Sequence, residues 1–275
     1  VVYAFAKAYS CIIPLAIFFL FTATGTAQKS LTPIVPSHHS SSVYKIITST
    51  DDQYAATLGS DGRVKLWATK SKKILTDIAL PAATDGFFTA DTKYLGIRIG
   101  TLLQLYSLPS LELVSTFANV EGSCASVEGS GFYYSEYKYD ATSWRIYYQK
   151  SPKAIPKVVY EEAIVTKSNT EIVAFARWMS PSPDGKKLMF THYNRKTYIL
   201  DLATQELTNP MQHGYAFLPN GEILSIARET TKEFEFFATN LKGKTQWKKK
   251  VTLDQVKSDL ERLYAVSAQE KTIYF

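Results

Sequence analysis

The stretch HSSSVYKIITSTDDQYAATLGSDGRVKLW, residues 39–67, alternates short apolar runs with polar turns. Thr50–Ala55 reads as a turn leading into a strand. Asp61-Gly62 reads as a second turn, with residues suited to positive φ values that other side chains resist. Four side chains complement one another chemically. Trp67 buries a large ring but keeps one N–H that needs an acceptor. Thr57 can both donate and accept, and Asp61 can orient the imidazole of His39. Buried polar groups of this kind usually satisfy one another for stability. A hydrolase triad of His39, Asp61 and the Thr57 hydroxyl is the competing reading. It fits poorly, because Thr57 falls in mid-strand and no strained nucleophile elbow surrounds it.

The same turn recurs along the chain. After Thr50–Ala55 come Ala90–Leu95, a weaker Val127–Phe132, Pro183–Leu188, Pro219–Leu224 and Ala268–Ile273. In each, a polar turn closes a hairpin and apolar residues run on into a strand. No stretch carries a long 3.6-residue periodicity, so the fold class is all-β. Asp254–Arg262 is the best helical candidate. Lys150–Glu171 is expected to hold an insertion.

His39, Thr57, Asp61 and Trp67, with intervals of four residues from Thr57 to Asp61 and six from Asp61 to Trp67, resemble the tetrad of a WD40 blade. The resemblance implies a hydrogen-bonded chain linking a His before the blade, a hydroxyl on its second strand, an Asp in the next turn and a Trp on its third strand. It also implies a β-propeller of four-stranded antiparallel blades over 43–275: about five blades plus the start of a sixth, and seven in a complete ring. Only the first unit matches fully. Tyr106 replaces the Trp in the second, with Gly96 and Gly100 at the Thr and Asp positions. Leu200 replaces it in the fourth, with Phe190 and Asn194 upstream. Leu31–Val35 is placed to be a ring-closing strand, confined to an edge by Pro33 and Pro36.

Composition agrees with such a fold. Of 275 residues, 45% are hydrophobic and 20% charged, which excludes global disorder. The 18 Tyr and 15 Phe favour half-buried pleated strands. The net charge is +6, yet the basic residues are dispersed apart from Lys248–Lys250, so a nucleic-acid partner is not expected.

Residues 1–27 read as a signal peptide. An apolar core, Cys11–Ala23, is followed by small residues and a cleavage site between Ala27 and Gln28. Residues 28–42 form a polar lead-in segment. Export to a bacterial periplasm, outer envelope or medium follows as an expectation, with membrane attachment only if the first segment is retained as an anchor. After cleavage Cys124 is the sole cysteine, so a disulfide framework is excluded. The chain ends within an apolar run at Phe275 and reads as a fragment.

Other candidate chemistry is weak. His38-His39 is adjacent and lacks a third ligand, and His192 and His213 stand alone, so no metal is expected. Cys124 with a histidine, or Glu161-Glu162 with Asp140, would make poor catalytic sets. The chain lacks GxSxG, HExxH, CxxC and a Gly-rich phosphate loop. Tyr133, Tyr134, Tyr137, Tyr139 and Trp144 form the densest aromatic run. They are either two strands of the third blade or an exposed patch that binds a partner or glycan.

The reading is therefore an exported interaction or scaffold module without catalysis or cofactor in this segment, its partner another protein. The alternative is the propeller of a larger peptidase, caspase-like or prolyl-oligopeptidase-like, with its catalytic domain beyond residue 275.

Overall fold

Short apolar runs between polar turns become hairpins, and pairs of hairpins become blades. The computed structural model describes residues 38–136, 143–163, 176–192, 196–211, 216–218, 220–228, 233–242, 244–252, 265–267 and 272–274. The expectations for residues 1–37 and for a helix at Asp254–Arg262 fall outside them.

The first blade is β1 (Val43–Thr48), β2 (Tyr54–Gly59), β3 (Arg63–Ala68) and β4 (Lys73–Ala79), hydrogen-bonded in that order. The second is β5 (Ala83–Phe88), β6 (Tyr94–Ile99), β7 (Leu102–Ser107) and β8 (Glu112–Phe117). β9 (Val120–Ala125), β10 (Phe132–Glu136), β11 (Ser143–Gln149) and β12 (Lys157–Ala163) form the third. The fourth comprises β13 (Ala176–Pro181), β14 (Lys187–His192), β15 (Thr197–Asp201) and β16 (Leu207–Met211). The fifth comprises β17 (Ala216–Phe217), β18 (Ile223–Arg228), β19 (Glu233–Thr239) and β20 (Thr245–Thr252). A pair, β21 (Ala265–Ser267) and β22 (Thr272–Tyr274), follows.

All pairing is antiparallel within blades. The first strands face inward: β1 lies against β5, β5 against β9, β9 against β13 and β13 against β17, with β21 against β1. The architecture is a β-propeller with five four-stranded blades in a ring.

The core lies between blades rather than within one. Leu58, Val64 and Leu66 of the first blade pack on Phe88, Leu95 and Ile97 of the second. Phe87, Leu103 and Leu105 meet Phe132 and Tyr134. Tyr133, Trp144 and Ile146 meet Leu188, Phe190 and Leu200, and Met189 and Ile199 meet Phe217 and Ile223. A blade is thus buried on both faces, so its strands need apolar residues at consecutive positions.

The recurring turn has a side-chain skeleton that its Asp/Asn-Gly signal only partly reveals. Ser49 Oγ donates to Asp51 at 2.6 Å and accepts from the Tyr54 N–H at 3.0 Å. Thr89 repeats this with Asp91 and Tyr94, and Ser182 with Asp184 and Lys187. The next residue takes positive φ in all five complete blades: Asp52, Thr92, Gly129, Gly185 and Gly221. A hydroxyl two residues before the acidic one was the missed signal.

Neighbouring turns are tied together. Thr50 Oγ1 donates to the Ala90 carbonyl at 3.0 Å, and Ser130 Oγ donates to Asp91. Burial alone would raise the Asp51 and Asp91 carboxyls. Hydroxyl donors, Ser49 for the first and Ser130 with Thr89 for the second, hold both below the usual carboxylate range. At Asp184 the Ser182 hydroxyl is the main cause of the lowering.

A depressed native pKa means that these groups stabilise the fold fully above the unfolded value, about 3.9 for Asp. That contribution is lost as pH falls through the lower native values. The melting temperature should therefore stay level near neutrality and drop below about pH 4. The drop should be shallower in Asp91→Asn than in the parent. Equal acid slopes in melts followed by circular dichroism would contradict this account.

Candidate functional site

The four residues singled out in the first blade come together. His39, in the lead-in to β1, places Nδ1 at 2.9 and 3.0 Å from the two Asp61 oxygens. Its Nε2 lies 2.8 Å from Thr57 Oγ1, which also accepts from Trp67 Nε1 at 2.8 Å. A carboxylate only accepts, so Nδ1 donates to Asp61, and with a neutral imidazole Thr57 donates to Nε2. The Thr57 oxygen is engaged on both sides. Asp61 also accepts from the N–H groups of Ser40 and Arg63 at 3.0 and 3.2 Å. The side chains of His39 and Asp61 are only 4% and 6% exposed.

Burial alone would raise the Asp61 carboxyl, but the donors His39, Ser40 and Arg63 outweigh it and hold it below the usual range. Gly59 makes room for this packing: a Cβ there would stand 2.2 Å from His39 Nδ1.

The other blades fill the same places differently. In the second, Leu95 pairs with Tyr106 as Ala55 pairs with Trp67, and Ile97 pairs with Gln104 as Thr57 pairs with Lys65. The residue at the Thr position is therefore Ile97, not Gly96. The β2–β3 turn holds residues 60–62, whereas the β6–β7 turn holds only 100 and 101, so counting back from the aromatic residue lands one short. Tyr106 donates instead to Gln104 Oε1 at 2.6 Å. In the fourth blade Phe190 and Leu200 stand at the Thr and Trp positions and are buried; Asn194 lies outside the described residues.

The described members of the aromatic run form no exposed patch. Tyr133 and Tyr134 are buried and Trp144 is fully so. Tyr134 points to the second blade and Tyr133 to the fourth, because successive strand residues face opposite sides and both sides are covered. Tyr134 stacks on Tyr147 with centroids 5.1 Å apart, and Trp144 meets Phe190 edge-on at 5.7 Å. Burial pushes the Tyr133 and Tyr134 hydroxyls up to about 12. Tyr137 and Tyr139 fall outside the described residues.

Of the remaining candidates, His213 and Asp140 lie outside the described residues. Cys124 is buried, and burial raises its thiol pKa, which disfavours the thiolate. His192 packs against Tyr198 and Trp144. Glu161 is engaged by Arg145 and Ser143 on the outer strand β12. Among the described residues no three His, Cys, Asp or Glu side chains converge as metal ligands. No helix among them is long and apolar enough to cross a membrane.

A cavity of about 880 Å³ opens between the inner strands. Small residues leave the space: Ala83, Gly86, Ser123, Ser180 and Ala216. In its lining Lys45 and Asp85 pair at 3.1 Å, and Arg98 Nη1 donates to the Glu121 carbonyl at 2.9 Å. Trp178 lines it and is 44% exposed. Nothing in the local sequence ARWMSP announces that position.

No family model matches the chain, and no curated protein matches it. Among solved structures it resembles the Cps50 (Swd1) β-propeller domain of Myceliophteria thermophila, with a TM-score of 0.55 and 13% identity. The match covers 74% of this chain and 67% of that one. At that identity the likeness speaks for fold alone. At the level of fold, the chain is a β-propeller whose first blade carries the complete polar tetrad.

Proposed function

We propose that this propeller is an exported protein-interaction or scaffold module that performs no catalysis in this segment. The observation that carries the reading is the face formed by the inner turns. The five matching turns carry exposed residues that vary in charge: Gln53 and Asn220 neutral, Lys93 and Lys186 basic, and Glu128 acidic. A rigid frame with varied tips suits recognition of a macromolecular surface. Against catalysis, His39, Thr57 and Asp61 are committed to one another, and none of them lines the central cavity. Export is supported by the apolar core at Cys11–Ala23 and the small residues after it.

A photo-crosslinking residue placed at Lys93 or Lys186 should give a discrete protein adduct in the producing cells, and one at Lys73 on the outer strand should not. The adducted chain should begin at Gln28 by terminal sequencing. Absence of any adduct from the turn face would overturn the interaction reading, and an intact leader would overturn export. Turnover of fluorogenic peptides or nitrophenyl glycosides by the purified chain would overturn the non-catalytic reading.

A further inference from the structure

We infer that the central cavity binds an uncharged saccharide, stacked on the indole of Trp178. The inference goes beyond the interaction reading and concerns a different surface.

Three observations converge on Trp178. It lies on the inner strand β13, where the ladder to β14 shifts register between Arg177 and Ser180. Its backbone φ is +43°, a left-handed value that a bulky residue adopts only under strain. Its ring is nevertheless half-exposed and lines the cavity instead of filling a blade interface. Bulges re-aim side chains, and strain retained in a rigid frame points to use. The same cavity is lined by the small residues Ala83, Gly86, Ser123 and Ala216 of the other inner strands.

The polar lining selects the ligand class. Lys45 and Arg98 are balanced by Asp85 and Glu121, two charges of each sign around one opening. An anion or a cation entering it meets repulsion as well as attraction. Hydroxyl groups both donate and accept, so they can use the Lys45–Asp85 pair, the Arg98 guanidinium and the Ser180 hydroxyl together. A sugar ring adds an apolar C–H face for the indole. The volume falls within the usual range for small-ligand sites, roughly 300–1,000 Å³.

The test is saturation-transfer NMR on the purified full chain with cellobiose, lactose and chitobiose at millimolar concentration, followed by Trp178→Gly. At least one disaccharide should receive saturation on its ring C–H protons. Glycine tolerates the positive φ, so this variant should melt within a few degrees of the parent while binding falls by about tenfold. Trp178→Phe should keep a stacking face and an intermediate affinity.

Failure of all three sugars to bind, or undiminished binding by Trp178→Gly, would overturn the proposal. So would a large loss of stability in both variants, which would make the ring a packing residue. Tighter binding of a lysine- or arginine-ended peptide at the same indole would replace the neutral ligand with a cationic one. Turn-face crosslinking is read independently, so either proposal can fail alone.

Discussion

Trp144→Ala should lower stability by about 3–5 kcal/mol, the usual cost of removing a large buried aromatic ring. Trp144 is fully buried, and its ring touches Tyr160 of its own blade and Phe190 of the next. Truncation leaves a void at an interface lined by Ile146, Leu188 and Leu200, side chains held by ladders that cannot readily collapse. The indole N–H finds no acceptor among the described residues. Trp144→Phe should therefore cost much less, because losing an unpaired polar atom offsets part of the lost volume. Urea denaturation measures both. An alanine variant within about 1 kcal/mol of the parent would mean that the blade interface is not packed as described.

Asp61→Ala should cost about 2–4 kcal/mol, since it strands several donors at once, the buried His39 imidazole among them. The His39 imidazole and the N–H groups of Ser40 and Arg63 all lose their acceptor. Asp61→Asn keeps an acceptor oxygen and should lose less. In the alanine variant the Trp67 indole N–H resonance should shift as well, because His39 no longer orders the Thr57 hydroxyl that accepts from it. Unchanged stability with an unmoved indole resonance would show that the four side chains do not act as a unit.

The features legible in the sequence were those governed by local chemistry. The turns at Thr50–Ala55, Ala90–Leu95, Val127–Phe132, Pro183–Leu188 and Pro219–Leu224 each fall between the first two strands of a blade. Turn residues reveal themselves because backbone conformation there depends on the residues themselves. The tetrad was legible for a related reason: its spacing is set by one strand, one turn and the next strand. The same counting failed in the second blade, where a one-residue-shorter turn moved Ile97 into the Thr position. A single deletion is invisible until the ladder register is known.

Exposure was not legible. Tyr133, Tyr134 and Trp144 suited the strands of a blade, yet composition left an open patch as the alternative, because an aromatic ring has the same composition in both. Their burial depends on blades contributed by distant segments, which cover the third sheet on both faces. Trp178 reverses the case: an ordinary strand residue by sequence, it faces the central cavity because a register shift and a left-handed backbone turn it there.

By itself, then, the sequence determined the all-β class, the repeat of hairpins and the polar chain of the first blade, since turn conformation and hydrogen-bonding capacity are properties of neighbouring residues. Only the tertiary structure decided which aromatic rings are buried and that Trp178 is among those lining the opening. Burial is a property of the whole ring of blades, summed over contacts between residues far apart in the chain.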